Sequence, residues 1–152
     1  MGTASFAANE KYGGIMTAIV CVSDGGGMMF GGHRVSRDRV VIEDVVRLSS
    51  DGVLFASEYS AALFEESGAS LIVTANPLAS ASCGDFAFVE EHSVSEYKDK
   101  ISELVIYRWN RKYLFDFKLD LDPEGAGMKL AESTEFSGKA HNLITREIWK
   151  TT

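Results

Sequence analysis

No run of apolar residues in this 152-residue chain approaches the roughly 20 needed to span a bilayer as a helix. The expectation is a soluble chain with no membrane partner. The N-terminal residues also lack the charged and apolar regions of a secretory signal, which points to the cytoplasm. Basic side chains are few, with 15 Lys and Arg against 22 Asp and Glu and a formal charge of −7. Phosphate backbones are gripped by clustered cations, so no nucleic-acid partner is expected. Only two cysteines occur, Cys21 in an apolar stretch and Cys83 among small residues, with no CxxC pair. Two free thiols fit that usage better than a bridge or a metal site.

Several catalytic signatures are missing as well. The three histidines, His33, His92 and His141, form no HxH or HExxH string, so no metal site is assigned. His92 and His141 read as surface or turn residues, and His33 is set apart only by preceding a helix. There is no GxSxG elbow and no cysteine with a matched histidine and acid, so nucleophilic catalysis has no sequence support and no catalytic residue is assigned. "DGGGMMFGG" has glycines but neither a GK[ST] ending nor GxGxxG spacing, so it is not a phosphate loop.

What is present is a regular alternation of short apolar runs. "AIVCV" is continuous and β-branched, as in a strand buried on both faces. After the glycine-rich loop, Ser36 can cap a helix whose stripe is Val41, Ile42, Val45 and Leu48, with Asp38 in its first turn. "GVLFA", "SLIVTA" and "FAFVEE" read as strands. "SEYSAALFEESG" reads as a helix capped by Ser57 and stopped by Gly68, and "NPLASASCGD" as a loop. Ser93 and Glu96 form a capping box for a short helix. From "ELVIYRWN" onward the pattern is mainly strands, including "YLFDFKL", "MKLAESTEF" and "LITREIWK".

The fold class expected is α/β, a single mixed, mostly parallel sheet flanked by helices and closed by a C-terminal antiparallel hairpin. Residues 1–15 lack periodicity and read as a leader, native or vector-derived, without fixed structure. Residues 16–152 read as one domain.

Two motifs resolve to ordinary structure. "DLDPEGAGMKLAES" opens like a calcium loop at Asp120, Asp122, Glu124 and Gly125, but Ala131 stands where the bidentate carboxylate belongs and Pro123 stiffens the turn. "YRWNRKY" mixes Arg108, Arg111 and Lys112 with Tyr107, Trp109 and Tyr113, which a strand end and polar turn explain without a stacked base.

The order of these features resembles dihydrofolate reductase. "IVCVSDGGGMMFGG" is similar to that family's first strand and mobile loop, and "SRDR" to the P-x-D start of the helix carrying the pterin-binding acid. "GVLFASEYSAALFEES", "SLIVTANP", "FAFVEEHSVSEYKDK", "ELVIY", "FDFKLDL" and the last hairpin resemble the family's later segments in order. The resemblance places Asp38 on the pterin-binding acid and Met28 or Met29 on loop residues that close over substrate. It also exposes departures. The Gly-Arg-Lys-Thr that holds cofactor phosphates corresponds to Ala56, Ser57, Glu58 and Tyr59, putting a negative charge where positive ones belong. The strand, Gly-Gly and helix of the second cofactor segment have no counterpart in the reading, and the family threonine supporting the catalytic acid corresponds to Tyr107.

The resemblance therefore implies a divergent, shortened member that is not an active reductase. Its surviving cleft, near Met28, Met29, Asp38, Ile42 and Tyr107, would bind a small heterocycle or nucleotide, with Asp38 accepting from ring nitrogens and the methionines covering the ring. Two alternatives stand beside it. One is a non-catalytic interaction or regulatory module, including a homodimer through a sheet edge; the other is a pterin reductase with an altered cofactor site. No cofactor is expected except NADPH under that last alternative.

Overall fold

The computed structural model describes residues 15–151. The expected leader falls outside them except for Ile15, whose N–H donates to Lys100 O and whose carbonyl accepts from Gly84 N.

A seven-stranded sheet forms the centre. In chain order its members are β1 (Met16–Val22), β4 (Leu54–Ala56), β5 (Leu71–Val73), β6 (Phe86–Phe88), β7 (Ile101–Arg108), β9 (Met128–Phe136) and β10 (Ile144–Thr151). Their spatial order is β5-β4-β6-β1-β7-β10-β9. The junctions from β5 to β7 are parallel and those from β7 to β9 antiparallel, as the sequence pattern implies. β1 lies in the middle, and its Ala18, Ile19 and Val20 are wholly buried because layers cover both faces.

The alternation along β1 sorts the core into two halves. Ala18, Val20 and Val22 pack with Met28, Met29, Leu78, Val94 and Leu121 on one face. Ile19 packs with Val41, Ile42, Val45 and Phe64 on the other. Helix α1 (Arg39–Leu48) supplies three of these residues at helical spacing. Phe64 meets the Phe88 ring edge-on at 5.2 Å.

Local chemistry shifts several expected boundaries. Asp38, not Ser36, caps α1: its backbone is extended and its side chain accepts from Val40 N. The Ser36 hydroxyl is turned instead towards His141 and Tyr113. Ser57 caps as expected, but only α2 (Glu58–Ala61) is α-helical; Ala62–Ser67 tightens to 3-10 geometry and ends at Gly68, φ 73°. The expected loop after β5 contains α3 (Pro77–Ser80), with Asn76 as cap and Pro77 in the first turn. The short helix before β7 is a 3-10 segment, Ser95–Lys100; Ser93 Oγ accepts from Glu96 N–H at 3.4 Å, and Asp120 reinforces the start by accepting from Val94 and Ser95 N–H at 2.9 Å each.

The glycine-rich loop is itself structured. β2 (Gly27–Phe30), β3 (His33–Arg34) and β8 (Phe117–Lys118) form a second sheet, in the order β3-β2-β8. Gly25 and Gly26, both at φ 86°, turn the chain back after β1.

Candidate functional site

Asp38 is fully occupied by its own protein. Oδ1 accepts from Val40 N at 3.0 Å and Lys139 N at 2.9 Å; Oδ2 accepts from Ala140 N at 2.8 Å and His141 Nδ1 at 2.9 Å. The acid thus clamps the β9–β10 connection to the start of α1. Gly138 is required there, because a Cβ would run into Asp38 Oδ2. Burial works to raise the Asp38 carboxyl, but the hydrogen bonds from His141, Lys139, Ala140 and Val40 outweigh it and hold its pKa down at about 2.

His141 extends this arrangement. Its side chain is 1% exposed and that of Asp38 0%. An ionised carboxylate only accepts, so Nδ1 carries the proton in this pair; in the neutral imidazole Nε2 then presents its lone pair. Ser36 Oγ lies 2.9 Å from Nε2 and Tyr113 OH 3.1 Å from it. The ring stacks on Trp109 at a centroid distance of 4.5 Å. The reading of His141 as a surface or turn residue is therefore corrected: it sits in a connection, but the chain folds over it.

Tyr107 belongs to a separate polar group beneath α1. Its hydroxyl donates to Asp44 Oδ2 at 2.6 Å, and Arg146 Nη1 reaches the same oxygen at 2.8 Å, with Arg47 also paired to Asp44. Burial pushes the Tyr107 phenol well above its ordinary range. Of the five residues expected to line one cleft, Asp38, Ile42 and Tyr107 share the α1 side of the sheet, while Met28 and Met29 are buried in the opposite half of the core. The strand alternation that separates them cannot be read from their order along the chain.

A third group closes the carboxyl end of β6. Glu90 accepts from Arg34 through two contacts, at 2.8 and 3.0 Å, and from Ser60 Oγ at 2.7 Å. Arg34 lies over the Tyr59 ring at 4.3 Å and its N–H donates to Tyr59 OH at 2.8 Å. Burial works against the Arg34 charge, and the hydrogen bond and attraction of Glu90 overcome it, so its pKa is raised. Burial likewise pushes the Cys21 thiol up, with Glu90 adding to the effect. The ion pair fastens β3 of the small sheet onto the large one.

Two cavities flank these groups. One, about 420 Å³, lies beyond β4, β5 and β6 and is lined by Ser57, Glu58, Tyr59, Thr74, Glu91 and His92 among others, with no Lys or Arg among the described residues of its wall. Ser57 Oγ donates to Glu91 at 2.5 Å. The other, about 390 Å³, lies between α1 and the Ala62–Ser67 segment; Ile42, Ala62 and Leu63 give it apolar wall, and Arg37, Arg39 and Glu65 charge.

No family model and no curated protein matches the chain. Among solved structures, dihydrofolate reductase from Enterococcus faecalis complexed with NADP(H) and RAB-propyl superposes with a TM-score of 0.61 at 13% identity, over 91% of this chain and 97% of that one. The fold is dihydrofolate-reductase-like. The likeness covers the mixed sheet and its C-terminal hairpin, and at this identity it speaks for the fold alone.

The expected strand and short helix before β7 are both present: β6 lies between β4 and β1, and the chain passes through Glu90 and Glu91 into Ser95–Lys100. Sequence reasoning missed Arg34, Ser36, Trp109 and Tyr113 as site residues. Only the run Ser36-Arg37-Asp38 hinted at a polar centre, because the partner histidine is about a hundred residues away.

Proposed function

We propose that this dihydrofolate-reductase-like protein binds a small heterocycle or nucleoside in the groove between α1 and Ala62–Ser67, without reducing it. The observation that carries this reading is the unequal state of the two crevices. At the carboxyl ends of β1, β4 and β6, where open sheets of this kind take nucleotides, Arg34, Glu90 and Tyr59 fill the space with mutually satisfied groups. What remains of that crevice is edged by Glu58 and Glu91. Such a lining does not fit the phosphates of a dinucleotide, which need donors and positive potential. The α1 groove is of similar volume, but its wall joins the apolar Ile42, Ala62 and Leu63 to charges of both signs, with Arg37 and Arg39 facing Glu43, Glu65 and Glu66.

In this reading Ile42 packs against the ligand ring, and Glu43, Glu65 and Glu66 at the rim accept from ring nitrogens. Asp38 supports the groove by fixing the start of α1 and is not the ligand's acceptor, because its oxygens already receive four donors. Met28, Met29 and Tyr107 act as core. A thermal-shift screen of pterins, nucleobases and nucleosides is expected to give hits that disappear in Ile42→Trp, which fills the groove. NADPH is expected to give no saturable heat by calorimetry. Saturable NADPH binding with pterin-dependent oxidation would establish the reductase alternative instead.

One observation favours a second reading, self-association through a sheet edge. β5 ends the large sheet and leaves Ile72 and Val73 about half exposed, at 49% and 53%. A monomer by light scattering, unchanged in Val73→Lys, would remove this reading.

A further inference from the structure

We infer that Ser36, His141 and Asp38 form a nucleophilic relay that cleaves small carboxylic esters. The imidazole is engaged at both nitrogens, by Ser36 Oγ at 2.9 Å from Nε2 and by Asp38 Oδ2 at 2.9 Å from Nδ1. This is the order of contacts in which a carboxylate fixes the tautomer and a histidine takes the proton of a serine hydroxyl. The ring has little freedom to turn away, since it stacks on Trp109 and meets the Tyr113 ring edge-on at 6.5 Å. Its exposure is graded as a relay requires: the carboxylate and imidazole are buried, and the serine is partly open to solvent.

A second observation points to the same place. The indole Nε1 of Trp109, in a residue only 2% exposed, has no hydrogen-bond partner among the described residues. A buried N–H left unpaired is costly, and this one belongs to the ring stacked on His141. It becomes a donor to an oxyanion beside the relay only where the acyl group displaces the side chains that cover it. Tyr113 OH, 3.3 Å from Ser36 Oγ and 3.1 Å from Nε2, completes the hydroxyl network.

The chemistry balances without a further reactant except water. Ser36 Oγ bonds to the acyl carbon while its proton passes to His141 Nε2; the ester C–O bond breaks and the leaving alkoxide departs as an alcohol with that proton. Water then attacks the acyl-serine, giving its own proton to Nε2. The acyl–Oγ bond breaks, Ser36 recovers the proton, and the carboxylic acid leaves.

The test uses the full chain with a fluorophosphonate probe and p-nitrophenyl acetate. The probe is expected to label the wild type, losing fluoride to Ser36 Oγ, with the adduct located by mass spectrometry on the peptide containing Ser36. Ser36→Ala leaves all four contacts of Asp38 in place and is expected to keep its melting temperature while ester hydrolysis falls about 100-fold or more. His141→Gln is expected to lose labelling too; if it fails to fold, Ser36→Ala still decides. A folded wild type that takes no adduct overturns the inference, as does hydrolysis or labelling that persists in Ser36→Ala. This readout is independent of whether the α1 groove holds a heterocycle.

Discussion

Asp38 and Glu90 are two buried carboxylates secured by opposite means. Three of the four donors to Asp38 are backbone N–H groups, from Val40, Lys139 and Ala140, and the fourth is an imidazole. Glu90 is met only by side chains, the Arg34 guanidinium and the Ser60 hydroxyl. Backbone donors have no alternative partner once the loop is closed, whereas side chains can be exchanged for apolar ones. The first carboxylate is therefore part of how the chain closes on itself, and the second is a removable fastening between two sheets. An acid kept ionised by several aligned donors needs no cation beside it.

The comparison breaks most severely at Asp38. Asp38→Ala strands three backbone donors and the His141 ring in a dry setting, and is expected to cost about 3–5 kcal/mol in urea denaturation, the scale of breaking a buried charged pair. Asp38→Asn is expected to recover less than half of that loss, because its amide can accept through only one atom.

Acid provides the same test without mutation. Folding lowers the Asp38 pKa from 3.8 to about 2, with burial opposing and the hydrogen bonds prevailing, so the folded state binds fewer protons in that interval. Stability from this group is complete above the unfolded value and drains away as pH falls from about 5 towards 2. At about 1.4 kcal/mol for each unit, the wild type is expected to lose about 2 kcal/mol over that interval beyond what Asp38→Asn loses. Parallel pH curves for the two proteins would show that the clamp does not depend on charge.

At Glu90 the expected effect is of similar size but reversible by design. Glu90→Ala leaves Arg34 without its acceptor and is expected to cost about 2 kcal/mol, the range of a hydrogen bond to a charged group. Replacing the pair together, Arg34→Met with Glu90→Leu, is expected to restore most of that stability, since a matched apolar pair carries no desolvation cost. Hydrogen exchange across Gly27–Phe30 would report whether the small sheet loosens in the single variant and tightens again in the double one. A double variant less stable than both singles would mean that the ion pair is not removable and that the contrast with Asp38 is false.

These two groups also mark how far the sequence alone could be read. The sheet, its parallel and antiparallel halves and α1 were legible because apolar periodicity is a local signal that burial enforces: "AIVCV" had to lie inside a covered sheet, and Val41, Ile42 and Val45 had to share a helix face. Asp38 was legible as an important acid, but not as a satisfied one, since Lys139, Ala140 and His141 come from a distant turn. Met28 and Met29 looked like loop residues above a cleft because glycines surround them. Pairing of β2 with β3 and β8 instead carries them into the core. Glu90 was not legible as a fastening, since its partner Arg34 is 56 residues away and "FAFVEE" gives no hint that its strand inserts between β4 and β1.

The smallest effect concerns how tightly the fastened sheet fits. A Cβ at Gly27 would lie 2.5 Å from Phe115 Cδ1 and Cγ, nearer than carbon atoms tolerate. Gly27→Ala must therefore displace the Phe115 side chain at its root, since the Phe115 Cβ is also only 2.6 Å away and movement of the ring alone does not relieve the contact. The cost is expected within the overpacking range, about 1–2 kcal/mol. In a Phe115→Gly background, which removes that Cβ, the same substitution is expected to cost less than half as much, which a thermal-denaturation cycle of the four proteins would measure. If Gly27→Ala costs the same in both backgrounds, the glycine is serving the turn at Gly25 and Gly26 and not the ring. The small sheet would then be held by Arg34 and Glu90 rather than by packing, and the contrast between fastening and closure would become sharper.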